Sequence, residues 1–216
     1  MARLTAIKPQ KRNPKRVSIF IEGRFAFGCS ASLLAEMGIA KGDEISETQL
    51  AQLRESAGVD DIHHRALRYL TRRARSEREM RTYLKGKSYT AEQIAETIGW
   101  LKEQNYLNDS QFAESWVGTR LRTAPRGRFK LLRELSEKGI AKEQAATVVN
   151  EQLPEETESQ VALELLRRCR GRWVGKERLE IKRKVYNFLR YRGFAGSTII
   201  TATEEFLEEI CAGSGD

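Results

Sequence analysis

Three stretches of this chain can be laid over one another: YLKGKSYTAEQIAETI (83–98), ELSEKGIAKEQAATVV (134–149) and FLRYRGFAGSTIITAT (188–203). Leu84, Leu135 and Leu189 coincide, as do Tyr89, Ile140 and Phe194, at offsets of 51 and 54 residues, and Gly139 and Gly193 precede the last two. Each copy closes one helix, turns at a small residue, places an apolar side chain and opens another helix. A further helical stretch precedes each copy, at 62–73, 109–122 and 157–169. A period this long describes small helical units that bury their faces against neighbours, stacked into an elongated curved array. The chain therefore reads as mainly α, with tandem three-helix repeats at 60–108, 109–155 and 156–216.

Residues 1–59 follow a different pattern, that of a small N-terminal β-hairpin/helix extension. Residues 1–16 carry Arg3, Lys8, Lys11, Arg12, Lys15 and Arg16 without an acid, and read as a flexible basic arm. In VSIFIEGRFAFG, Val17, Ile19 and Ile21 alternate, and Phe25 and Phe27 resume the period of two after Glu22-Gly23, a hairpin signal. Glu is unfavourable in a two-residue turn, so a loop one or two residues longer is expected. SASLLAEMGIAKGDEISETQLAQL reads as two short helices split by Gly38 and Gly42, the second capped by Ser46. Farther on, Ser76 with Glu79 and Thr90 with Gln93 stand at capping-box spacing. Asp109 is placed to cap the next helix, Pro125, Gly127 and Leu153-Pro154 break helices, and Ser197 starts the last one.

Charge narrows the functional classes. With 38 Lys and Arg against 30 Asp and Glu, the net charge is +8, a balance that favours anionic partners. Cys29, Cys169 and Cys211 are odd in number and far apart, so free thiols in a reducing compartment are expected. No apolar run reaches the ~20 residues of a membrane span, and the N-terminus lacks a signal peptide's apolar core. The expectation is a cytoplasmic protein. His63 and His64 are adjacent, without Cys or acid at ligand spacing, and read as a helix-start pair. Neither a glycine-rich phosphate loop nor an activated nucleophile is present, so neither an enzyme nor a cofactor is expected. Trp100 and Trp116 read as core residues, and Trp173, inside GRWVGK, as an exposed one.

The basic residues recur in step with the repeats. In the helix after Ser76, Met80, Tyr83 and Leu84 share one face, and Arg78, Arg81 and Lys85 form a stripe opposite. A cluster follows the first helix of each unit: Arg72, Arg73 and Arg75; then Arg120, Arg122, Arg126 and Arg128, with Lys130 and Arg133 close behind; then Arg167, Arg168, Arg170 and Arg172. The third unit adds Lys176, Arg183 and Arg190 in register on its second helix, near Tyr186 and Tyr191. Arg outnumbers Lys in these clusters, and Arg suits bidentate pairing with phosphate or carboxylate. The acids gather elsewhere, in EETE (155–158) and EEFLEE (204–209). These cations are the candidate partner and nucleic-acid contacts. A helix-turn-helix reader is a poorer fit, because third helices opening with Glu92 and Glu96, or with Lys142 beside Glu143, are badly charged for a major groove. Cations on first and second helices suit backbone contact or an acidic protein face.

ALRYLTRRARSEREMRTYL, LKEQNYLNDSQFAESWV and LLRELSEKGI together resemble the RecX family of regulators of the RecA recombinase. The resemblance rests on Arg75-Ser76 with Glu79, on Tyr106-Leu107-Asn108-Asp109 with Phe112-Ala113, and on Glu134-Leu135 with Lys138-Gly139-Ile140. It is close over about 66–140 and looser over the third unit. Two turns depart from the family pattern: Lys87-Ser88-Tyr89 stands for Lys-Gly-aromatic, and Pro125-Arg126-Gly127 for a Gly-Pro order. The resemblance implies tandem three-helix repeats and binding in the groove of a RecA filament. It also implies lowered ATP hydrolysis, strand exchange and co-protease activity, hence a role in homologous recombination, DNA repair and the SOS response. The partners so implied are the RecA-type filament and single-stranded DNA, with double-stranded DNA as a further anion and no membrane, and the chain is expected to act as a monomer. The alternative is an independent helical-repeat DNA- or RNA-binding protein acting through backbone contacts.

Overall fold

The structure, a computed structural model, describes residues 1–11, 13–173 and 175–212. They form two compact units, the described residues of Met1–Arg75 with Glu79–Leu107, and Ser76–Arg78 with the described residues from Asn108 onward. Arg12 and the thiol of Cys211 lie outside the described residues.

Residues 1–11 and 13–16 are not a free arm. Strands β1 (Ala2–Gln10), β2 (Asn13–Ile21), β3 (Arg24–Ser30) and β4 (Glu44–Ile45) make an antiparallel sheet in the order β3-β2-β1-β4. Leu4 of β1 pairs with Ile21 and is fully buried with Val17, Ile19 and Cys29. β4 pairs only with Ala2 and Arg3, so the rest of β1 is an edge and accommodates Pro9. The β2–β3 turn holds just two residues, Glu22 and Gly23, both at positive φ (48° and 77°), the geometry of a type I′ hairpin. Glu22 tolerates this because β1 holds it from the side. Its N–H donates to the Arg3 carbonyl at 3.1 Å, and its Oε1 accepts the Arg3 N–H at 2.7 Å.

After α1 (Ala31–Glu36), capped by Ser30, the second expected short helix proves to be α2 (Glu47–Leu70), 24 residues long. Ser46 and Gln49 form its capping box. α2 runs through residues 59–60 because it serves two cores. Leu53 and Ala57 pack under the sheet, while Ile62 and Ala66 join α3 (Glu77–Lys85) and α4 (Ala91–Glu103) around Met80, Leu84, Ile98 and Leu101. His63 therefore sits in mid-helix rather than at a start, stacked on Trp100 at 3.8 Å. Asp60 and Asp61 tie sheet to helix. Asp60 accepts the Ser30 N–H at 2.9 Å, and buried Arg16 bonds Asp60 at 2.7 Å and Asp61 at 3.2 Å.

The second unit contains α5 (Asp109–Thr123), α6 (Arg128–Glu137), α7 (Lys142–Gln152), α8 (Glu155–Arg168), α9 (Arg178–Tyr191) and α10 (Gly196–Ala212). Asn108, not Asp109, caps α5, accepting from the N–H groups of Ser110 and Gln111. The aligned leucines Leu84, Leu135 and Leu189 are all fully buried. At two of the turns the following apolar residue returns its N–H to that leucine's carbonyl, Ile140 to Leu135 at 3.0 Å and Phe194 to Leu189 at 3.2 Å. This is the 6→1 bond of a Schellman ending, and it needs the left-handed residue that Gly139 (φ 86°) and Gly193 (φ 81°) supply.

One helix-capping device occurs twice in the second unit. The Glu77 N–H donates to Asp109 Oδ1 at 2.8 Å, and the Arg128 N–H to Glu158 Oε1 at 2.8 Å. Each carboxylate belongs to the first turn of another helix, where it meets the orphan N–H groups of the capped one. A turn packs beside each contact, that between α6 and α7 in the first case and that between α9 and α10 in the second. The Ser76 hydroxyl donates to the Lys138 carbonyl at 2.7 Å, and the Gly127 N–H to the Arg192 carbonyl at 3.0 Å. A Cβ on Gly127 would collide with the Gly193 and Phe194 backbone, which accounts for glycine in the Pro125-Arg126-Gly127 turn.

Candidate nucleic-acid and protein interface

The structure sorts the nineteen expected contact residues by what already neutralises them. In the first unit Arg73 makes a bidentate pair with Glu79, at 2.9 and 3.0 Å. Arg75 stands over Tyr69, its guanidinium 3.9 Å from the ring centre. Arg78, Arg81 and Lys85 are exposed on α3 opposite buried Met80 and Leu84, as the helical period requires. Arg72 is exposed, and neither it nor Lys85 carries an ion pair among the described residues.

The first unit also holds cations that the sequence reading missed. Arg54, Arg65 and Arg68 fall with Arg72 in one stripe about 60° wide and about 27 Å long down α2 and just past its end. Dividing this helix in two hid the stripe, and its recurrence at 11, 14 and 18 residues from Arg54 was the available signal. Arg65, Arg68 and Arg72 line a groove of about 320 Å³ with Lys87, Tyr69 and Tyr83. The two tyrosine rings stack at 3.9 Å and 5°. Asp61 engages Arg65 Nε at 2.7 Å and accepts the Tyr89 hydroxyl at 2.8 Å. Burial alone would raise the Asp61 carboxyl, but Arg65, Tyr89 and Arg16 together hold it below the usual carboxylate range. Burial and the same bond push the Tyr89 phenol up to about 12.

The second repeat's cluster is largely internal. Glu134 accepts from Arg120 at 2.7 Å and from the Trp116 indole at 3.0 Å, with Arg126 Nε 3.9 Å from its other oxygen. Arg128 meets Glu155 at 2.8 Å and lies 3.6 Å from Glu158, whose buried carboxylate also accepts the Thr198 hydroxyl at 3.0 Å. Arg133 has an exposed partner, Glu137, one turn on at 3.5 Å. Lys130 stands over the Tyr191 ring at 5.8 Å. Arg122 is exposed, with no ion pair among the described residues.

In the third repeat Arg167 bonds Glu209, and Arg168 lies 3.8 Å from Glu164. Glu155 and Glu158 of EETE and Glu209 of EEFLEE are thus partners of the basic clusters. Arg170 and Arg172 form a single 3-10 turn (Arg170–Arg172), Arg172 standing over Phe188 at 5.7 Å. Lys176 precedes α9 and so is not on its face; its ammonium is 3.5 Å from Glu180. Arg183 and Arg190 are exposed on α9 beside Leu179 and Tyr186, which border a shallow groove of about 650 Å³ with Arg183. Trp173 is buried, edge-on to Phe188 and Phe206, against the exposed position read from the sequence, while Trp100 and Trp116 are partly buried against the cores of their repeats, as expected. Arg192 also escaped that reading. Burial, with Arg126 and Arg172 nearby, lowers its pKa.

Cys29 and Cys169 are free thiols, and burial pushes Cys29 up to about 11, leaving it unreactive. Among the described residues no three His, Cys, Asp or Glu converge as a metal site would, and no helix is long and apolar enough to cross a membrane.

Comparison with known proteins covers the whole of this arrangement. Residues 2–46 match the model of the regulatory protein RecX N-terminal domain, and 63–101, 108–149 and 156–202 those of the first, second and third RecX three-helix domains. The chain is 34% identical over 203 residues to a protein named regulatory protein RecX from Halalkalibacterium halodurans, covering 92% of this chain and 76% of that one. A protein of the same name from Clostridium beijerinckii is 32% identical over 199 residues, covering 90% and 91%. A crystal structure of regulatory protein RecX superposes with a TM-score of 0.66 at 27% identity, covering 94% of this chain and all of that one.

Proposed function

The chain belongs to the RecX family of regulatory proteins, and from that premise we propose that it restrains the RecA recombinase filament. In this reading it binds in the filament groove near the DNA as a monomer in the cytoplasm. There it lowers ATP hydrolysis, strand exchange and co-protease activity, and so damps recombinational repair and the SOS response. Family membership through four successive domains carries the proposal. It draws support from exposed cations that have no ion pair among the described residues and recur in all three repeats: Arg72 and Lys85, then Arg122, then Arg170, Arg183 and Arg190. Charges so repeated suit a partner that presents acidic faces or phosphates at intervals. Arg120, Arg126 and Arg128 hold helices together, so reversing their charge would report on folding; Arg122, Lys130 and Arg133 are the positions of the second repeat to vary.

The test is ATP turnover by a preformed RecA filament on single-stranded DNA, with this protein at substoichiometric amounts. The expected result is reduced turnover with few molecules per filament. Unchanged turnover, beside steeply salt-dependent binding to bare DNA, would overturn it. The second reading, an independent nucleic-acid-binding protein, would then stand, favoured by the groove between Arg65 and Lys87.

A further inference from the structure

The groove of the first unit concentrates positive charge that the fold does not neutralise. Arg68, Arg72 and Lys87 are exposed and carry no ion pair among the described residues, and no carboxylate lines the groove. Arg65 donates its Nε to Asp61, which fixes the side chain at the groove's edge. The wall is the tyrosine stack. Rings 3.9 Å apart leave no room between them, so the Arg75 guanidinium covers the outer face of Tyr69, and Lys87 stands over Tyr83 at 5.8 Å. The inner faces of the stack are thus closed to a nucleobase, and Arg75 takes the outer face of Tyr69. What the groove offers is a row of guanidinium and ammonium donors, continued along α2 as far as Arg54, which lines the neighbouring groove of about 560 Å³ with Arg65 and Arg16.

We propose that this groove seats the phosphodiester backbone of single-stranded nucleic acid, with Arg68, Arg72 and Lys87 as its phosphate contacts and Arg65 as a fourth. A single strand bends into a concave track, whereas a duplex, stiff over about 50 nm, meets only its rim. Guanidinium forks match phosphate oxygens two at a time, which favours phosphate over the lone carboxylates of an acidic peptide. With the stack closed and Tyr69 covered by Arg75, recognition is chiefly through the backbone: independent of base sequence and steep in salt. The proposal rests on the RecX reading only for its choice of nucleic acid as the anion.

The experiment uses the full chain and fluorescence anisotropy of a labelled oligo(dT) of about 20 nucleotides, titrated across a range of salt. Compared are the wild type, R68E/R72E/K87E and the milder R68Q/R72Q/K87Q, with melting curves as a check; the Gln variant is decisive if the Glu variant melts early. Loss of three single-strand phosphate contacts lowers the slope of log K against log salt by about 2 and weakens binding at least about tenfold at low salt. Three results would overturn the proposal: no oligo(dT) binding by the wild type at low salt, a variant slope equal to the wild type's, or oligoglutamate of equal charge competing as well as unlabelled oligo(dT). Filament ATP turnover measured in parallel separates the two readings. A wild type that leaves turnover unchanged while binding oligo(dT) through these residues keeps the site and sinks the regulatory reading. A Gln variant that binds DNA normally, in a protein that still slows turnover, does the opposite.

Discussion

Ser88 occupies a backbone conformation that glycine holds in the corresponding turns, at φ 64° against 86° for Gly139 and 81° for Gly193. A side chain in the left-handed region costs about 1–2 kcal/mol, of which a glycine returns roughly 0.5–1 as lost chain entropy. Ser88→Gly should therefore raise stability by about 0.5–1 kcal/mol and the melting temperature by roughly 2 °C. An unchanged or lowered urea midpoint would contradict this. The reverse change, Gly193→Ser, adds a contact: a Cβ there would sit 2.5 Å from the Lys130 backbone nitrogen, which cannot move away. It should cost about 3 kcal/mol or more, strain and overpacking together. The histidines set a pH response at the same scale. Burial, acting on His63 against Trp100 and on His64, lowers both below 6.5. The unfolded chain then binds protons more readily than the folded one. Stability is complete above about pH 6.5 and falls as the pH drops below it. His63→Phe keeps a ring on Trp100 and should flatten the decline in urea midpoint between about pH 7 and pH 5. An equally steep decline would place the protons elsewhere.

The helices differ in how far their own residues announce them. The repeat turns were legible because the Schellman pattern is local: a buried leucine, a left-handed residue and an apolar return lie within six positions, as in Leu135, Gly139 and Ile140. Thr90 with Gln93 announced α4 in the same way. β1 was not legible, because what makes it a strand is its pairing with β2 and β4, while its own sequence shows Arg3, Lys8 and Pro9. The sequence suggested a boundary at residues 59–60 inside α2, yet the helix continues because Leu53 and Ile62 belong to different cores that only tertiary packing provides. The caps supplied from a distance were equally hidden: Glu158 lies 30 positions from the Arg128 N–H that it accepts. That cap carries an element-scale prediction. Glu158→Ala leaves the Arg128 N–H and the Thr198 hydroxyl without an acceptor in a buried place, at a cost of about 2–4 kcal/mol. Glu158→Gln keeps an oxygen and should lose less than half as much. Equal losses in calorimetric melting would show that the negative charge at the start of α6, not the hydrogen bond, is what matters.

Across the whole chain the +8 net charge is divided into two populations that the sequence could not tell apart, since Glu134 stands 14 positions from Arg120 and Glu155 stands 27 from Arg128. Arg120 and Arg128 are partly buried on carboxylates that neutralise them, so each contributes to the fold and little to the field outside. Arg122, Arg170, Arg183 and Arg190 are exposed and without an ion pair among the described residues, so their field reaches a partner within a Debye length of about 8 Å at physiological salt. The two sets should separate cleanly on substitution. Arg120→Gln with Arg128→Gln strands Glu134 and Glu158 and should lower stability by about 2–4 kcal/mol, while inhibition of filament ATP turnover persists below the melting transition. Changing Arg122, Arg170, Arg183 and Arg190 to Gln removes exposed charges that have no ion pair among the described residues, so the melting curve should stay within about 1 °C of the original. The concentration needed for half-inhibition should rise at least about tenfold and become less sensitive to salt, since association driven by those charges is what salt screens. Should the four exposed changes leave half-inhibition where it was, the partner would have to be recognised through surfaces other than the repeating cations. The exposed apolar and aromatic residues of α9, Leu179 and Tyr186, would be the next to vary.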